Sequence, residues 1–231
     1  MKTINILCCL LSIFVFSTSL VLAKDKKEKP GQAKLIFKAN KSSLWFKHGD
    51  ENNSKEEKNV VEVSLPGKVY DEPRLINDIA ENKIDRSTPE GLVASYFSAS
   101  EKGDIEWITE NFVNEEKEKI KSVFQDKSTL KKSQKSAKNI KTKHVTGEAE
   151  YKGYKIVFVE ENFGDKKIVA EALACKKEEN EWKITNALSN DKTFDIVFAA
   201  VSSGEVDYGK RKNTDESIKT KIRPPEIIIE N

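Results

Sequence analysis

Cysteine and histidine are scarce in this sequence, with three and two residues among 231. Cys8 and Cys9 both lie in the first apolar run, so a chain beginning at Lys24 holds Cys175 alone and forms no internal disulfide. One such cysteine with two separated histidines, His48 and His144, excludes a Cys/His zinc site, and no metal or other cofactor is expected. Cys175 lacks a Cys-His signature and reads as a small buried hydrophobe. An excess of one charge is missing too. Forty Lys+Arg against 38 Asp+Glu leave no basic surplus for nucleic acid as the main partner. Ten glycines and six prolines exclude collagen-like and Pro/Gly-rich low-complexity chains. Neither Lys102-Gly103-Asp104 nor Ser202-Ser203-Gly204 has the spacing of a phosphate-binding loop.

What is present begins with a leader-like segment. Lys2 precedes the apolar stretch Ile6 to Phe16, and Val21-Leu22-Ala23 ends it with a small residue before the charged Lys24 to Lys29. Residues 1–23 therefore read as a signal peptide, with export to the periplasm or medium and no permanent membrane span after cleavage. Residues 24–33 read as a flexible linker, 34–85 as a β-rich segment, 86–204 as an α+β domain, and 205–231 as a charged tail. In the β-rich segment, Leu35-Ile36-Phe37, Leu44-Trp45-Phe46 and Val60 to Leu65 are strand-like, and Asp50 to Lys58 is a polar loop. Ile227-Ile228-Ile229 is unusual for a free tail and suits an edge strand.

The second region opens on helical signals. Ser87 is the expected N-cap, with Pro89 in the first turn and Glu90 three residues on. Leu92, Val93, Tyr96 and Phe97 follow at helical spacing up to Gly103. Asp104 caps a second helix, and a third runs from about Glu115 with Ile120, Val123 and Phe124 as its apolar face. Lys127 to Lys143 is Lys/Ser-rich and is expected to fray or loop.

From Lys143 the hydrophobic period becomes two, with turns at Lys152-Gly153, Asn162 to Asp165 and Glu179-Asn180. Folding about them pairs Ala149 with Ile156, Phe158 with Val169, Ile156 with Glu171 and Cys175 with Ile184. One face then collects Val145, Ala149, Tyr151, Tyr154, Ile156, Phe158, Leu173, Cys175, Trp182 and Ile184 under the helices. The other collects small residues such as Ala170, Ala172 and Ala174, with a second subunit or the N-terminal strands as candidate covers. Asp191 to Ser203 fits a helix ended by Gly204, and a strand nearly as well.

Helices carrying Ser87-Thr88-Pro89-Glu90, Leu92-Val93 and Tyr96-Phe97, then Lys102-Gly103-Asp104, precede the Gly147 to Leu188 meander with Trp182-Lys183-Ile184 in its last strand. Over residues 86–190 this resembles the nuclear transport factor 2-like superfamily, cone-shaped α+β domains that include ketosteroid isomerases and polyketide cyclases. The resemblance implies a pocket between a curved antiparallel sheet and the helices, and no particular reaction. The isomerases' paired acids and oxyanion-hole tyrosine have no counterpart here, nor does the family's strand between the second and third helices.

Glu171 is the leading candidate residue, a carboxyl placed on the aromatic face where burial favours its protonated form and suits it to general-base work. Tyr96, Trp107, Tyr154, Phe158 and Asn186 are the candidate ligand-binding neighbours. A lysine partner for Glu171 is the plain structural alternative. Glu160-Glu161 and Glu178-Glu179 beside turns read as solvated surface, as does the lysine run from Lys131 to Lys143. Three functions stay open: a non-enzymatic envelope module binding a small apolar ligand or a protein, an isomerase- or dehydratase-type enzyme based on Glu171, and a structural module without a ligand. A homodimer through the small-residue face is a further expectation.

Overall fold

The computed structural model describes residues 33–40, 44, 60–164, 167–203 and 206–207. The leader, most of the linker, Trp45-Phe46, His48, Gly204 and the tail from residue 208 with its isoleucines lie outside them. The fold is α+β. Six antiparallel strands follow one another across an open sheet: β1 (Ala33–Asn40), β2 (Val60–Ile76), β3 (Thr142–Tyr151), β4 (Tyr154–Asn162), β5 (Ile168–Glu178) and β6 (Glu181–Ile184). The helices α1 (Pro89–Lys102), α2 (Ile105–Glu110), α3 (Lys117–Gln125) and α4 (Lys127–Asn139) are inserted between β2 and β3. Helix α5 (Lys192–Ser203) follows β6, and the two-residue β7 (Val206–Asp207) pairs with β1 at the outer edge. No helix among the described residues is long and apolar enough to cross a membrane.

Local chemistry sets the helix boundaries. Thr88 is the N-cap of α1, its Oγ1 accepting from the Gly91 amide at 3.1 Å, while the Ser87 amide donates back to Asp85. The cap therefore falls one residue later than the sequence pattern suggests, because Pro89 has to occupy the first helical position. Gly103 ends α1 at φ 69°, where a side chain would be strained and would also strike Gln134. Asp104 caps α2 as expected. The Lys/Ser-rich stretch is a helix rather than a loop. Asp126 caps α4 by accepting from the Ser128 and Thr129 amides, Ala137 is buried, and the Gln134 side chain donates to the Lys102 carbonyl at 2.8 Å. Of the expected apolar face of α3, Ile120 and Phe124 are buried and Val123 is exposed.

The meander has the expected strands and turns, but one register differs. Ala149 faces Ile156 and Cys175 faces Ile184, as the turns dictate. Between β4 and β5, however, Phe158 faces Ala172 and Glu171 faces Val159. The connection closes later than Asn162 to Asp165, through a Phe163 amide bonded to the Lys167 carbonyl, and the pairing slides by three residues. An odd slip exchanges faces. A bulge between Val145 and Gly147 exchanges them once more along β3. The face under α1–α4 therefore carries Val145, Val157, Val159, Leu173, Cys175, Trp182 and Ile184. Ala149, Tyr151, Ile156 and Phe158 lie on the opposite face, with Ala170 and Ala172.

That opposite face is covered by α5. Asp191 caps the helix through the Thr193 and Phe194 amides, and Val197, Ala200 and Val201 pack on Leu35, Phe37, Leu65, Ile156 and Phe158. The sheet curls enough for the Phe37 ring on β1 to meet the Phe158 ring on β4, centroids 5.7 Å apart, although three strand spacings of about 4.8 Å separate them in a flat sheet. Gly67 and Gly147 on the strands between leave that space open. A Cβ on Gly147 would lie 2.6 Å from the Lys68 carbonyl oxygen and 3.0 Å from the Phe158 ring.

Candidate functional site

One cavity of about 140 Å³ lies between the sheet and the α1/α4 pair. Helix α1 lines it with Tyr96, Phe97 and Ser100, α4 with Ser133, Ser136 and Ala137, and Ile140 follows α4. The floor is Glu161 on β4 and Glu171 on β5. Tyr96 and Ser100 stand one turn apart on a single helix face, as do Ser133 and Ala137. Glu161 faces Val169 and Glu171 faces Val159, so the two acids are diagonal neighbours on one face.

Their side chains are hydrogen-bonded to each other. Burial and the neighbouring Glu171 charge push the Glu161 carboxyl up to about 8, against the opposing pull of the Lys143 ammonium. Glu171 is also raised, by burial, and accepting from Glu161 only partly offsets this. Glu161 therefore keeps its proton at neutral pH and can donate it to Glu171. Burial first, then the charges of Glu171 and Glu161, hold the Tyr96 phenol far above its ordinary range, so it stays neutral. Ser100 is 3% exposed, and its Oγ, though near enough to the Tyr96 hydroxyl to influence it, has no hydrogen-bond partner of normal geometry.

Lys143 faces Glu161 directly across β3 and β4, yet its ammonium is bound to Asp78 at 2.6 Å and rests over the Phe97 ring. Among the described residues no lysine is paired with Glu171, and a second acid, Glu161, stands beside it instead. Glu161 is only 8% exposed, which corrects its reading as solvated surface. Its parity with Val157 and Val159 on β4 was the available signal; adjacency to a turn obscured it. Ser133 and Ser136 were missed because α4 was not recognised as a helix.

The structure brings Tyr96 and Glu171 together and separates them from the other candidates. Trp107 is buried in the helical core, its indole N–H donating to Ser95 Oγ at 2.8 Å. Phe158 belongs to the α5 face, and Tyr154 shares its strand parity. Asn186 is exposed beyond β6 and bound to Glu116, its Nδ2 donating at 2.7 Å. A second polar group, in which Tyr70 donates to Glu90 and Glu148 while Arg74 and Lys155 neutralise those acids, is satisfied internally. Among the described residues no group of three or more His, Cys, Asp or Glu side chains is placed to hold a metal ion.

No protein-family model matches this chain, and no curated protein or solved structure matches it either.

Proposed function

We propose that this protein is an exported, non-enzymatic binding module whose ligand occupies the cavity between the sheet and α1/α4. The observation that carries the reading is the juxtaposition of an open space with Tyr96, Ser100, Glu161 and Glu171, groups from both layers converging on one point. The leader-like residues 1–23 support export. The cavity lies where the resemblance to the nuclear transport factor 2-like superfamily implies one. Phe112, between α2 and α3, also makes a single parallel bridge to Ile184. At about 140 Å³ the space suits a compact ligand of roughly benzene size. That narrows the ligand from any apolar molecule to a small one that tolerates a polar floor.

A second reading, an enzyme with Glu171 as general base, draws on one specific observation: the shared proton at neutral pH, which gives the pair both a donor and an acceptor. A fragment screen by amide NMR tests the main reading. Fragments that shift the amides of Tyr96, Ser100, Ser136 and Glu171 together support it. Fragments that shift only other surfaces, across a few hundred compounds of this size, count against it.

A further inference from the structure

We infer that the cavity over Glu161 and Glu171 is a site for a small organic cation bearing N–H donors, such as a short primary ammonium. This rests on the binding reading above and names the ligand's chemistry. The floor consists of two acids that make no ion pair with a cation among the described residues; Lys143, which faces Glu161 across the strands, is paired with Asp78. An anion has no counter-charge there. A neutral apolar ligand would leave the Ser100 hydroxyl unsatisfied and the acids' remaining acceptor positions unused.

The independent mark of a missing ligand is Ser100. Its hydroxyl is buried at 3% exposure, lines the cavity beside Tyr96 and has no hydrogen-bond partner of normal geometry among the described residues, which is uncommon for a buried side-chain oxygen. An ammonium offers three donors, and the cavity offers Ser100 Oγ and the carboxylate oxygens as acceptors. Phe97, Ala137 and Ile140 leave an apolar wall for a carbon tail. Among the described residues no third acid, sulfur or imidazole joins the pair, which favours a monovalent organic cation over a divalent metal.

Binding is coupled to the shared proton. An ammonium that replaces it releases one proton to solvent, so affinity rises with pH until the pair is ionised in the free protein. Tyr96 from α1 stays a neutral phenol, α4 contributes only hydroxyls and Ala137 to the lining, and Lys143 from β3 stays paired with Asp78.

The test is an NMR titration with propylammonium, propanol and propionate, three ligands of one carbon skeleton, at constant ionic strength and at pH 6.5 and 8.5. The expected result is propylammonium binding at the cavity amides at least about tenfold more tightly than propanol, more tightly at the higher pH, with propionate silent. Glu171→Gln should remove the preference, and Glu161→Gln should do the same if the first variant proves unfolded by its thermal melt. Propanol binding as tightly as propylammonium at these amides overturns the cation inference and leaves the pocket reading standing. Silence of all three overturns it as well, and the wider fragment screen then decides the pocket separately.

Discussion

Glu161 and Glu171 are diagonal neighbours across β4 and β5, joined by a carboxyl–carboxyl hydrogen bond beneath α1 and α4. Such a pair links folding to pH in a definite direction. Both acids have folded pKa values above their unfolded value near 4.5, so the folded chain retains protons that the unfolded chain has released. Their contribution is fully present below about 4.5 and is lost as pH rises towards about 8. The shifts that run the other way, at Glu148, Asp191 and Glu181, are lowered acids whose transitions lie below this window. Urea unfolding at pH 5, 6.5 and 8 should show stability falling with pH, by at most about 1.4 kcal/mol per pH unit for each proton retained. Glu161→Gln should flatten that slope. A wild-type stability that climbs through the window refutes the assignment.

Gly147→Ala tests the curl of the sheet. The added Cβ would stand 2.6 Å from the Lys68 carbonyl oxygen and 3.1 Å from the Val69 Cα, both backbone atoms of β2 that retreat only if the strands separate. The expected cost is about 1–3 kcal/mol in urea unfolding, with the Phe37–Phe158 contact loosened. A neutral substitution means that the strands have slack here which the close contacts conceal.

The Cys175 thiol is predicted to be inert. It is fully buried beneath the helices, and burial pushes it up to about 12, with Lys155 only partly opposing. A maleimide reagent at pH 8 should leave the native protein unlabelled over hours and label it within minutes in strong urea. Rapid native labelling would indicate local opening of β5.

Much of the fold is legible in the sequence because its signals are local. Pro89, Gly103 and Asp104 punctuate the helices, and Lys152-Gly153 closes a two-residue hairpin with both residues at positive φ. What escaped detection depends on geometry that a residue pattern does not carry. The Asn162–Lys167 connection has more than one way to close, and a slip of three residues moved Phe158 and Ile156 to the α5 face. Glu171 is under the helices in either register, because its new partner Val159 lies on that face. Tyr96 was found from helical spacing. Glu161, beside a turn, and the α4 serines, in a lysine-rich run, carried no local sign of burial. Only packing against α1 and Ile140 shows that they share a cavity.

The final prediction concerns Asn111, which is completely buried where α2 ends. Its Nδ2 donates to the Trp107 carbonyl at 2.7 Å and its Oδ1 accepts from the Arg86 Nε at 2.9 Å. The backbone oxygen accepts from the Ile184 amide, so one residue ties α2 to β6 and to the segment before α1. Arg86 is 7% exposed, and its one ion pair among the described residues, with Glu181, is long at 3.7 Å. Asn111→Ala therefore strips a buried guanidinium of its neutral acceptor, at an expected cost of about 2–3 kcal/mol. Asn111→Asp restores the acceptor with a charge that Arg86 matches, but loses the donor to Trp107, so it should recover part of that loss. If the two variants unfold at the same urea concentration, the Arg86 contact contributes nothing and the stability lies in the backbone bridge to β6.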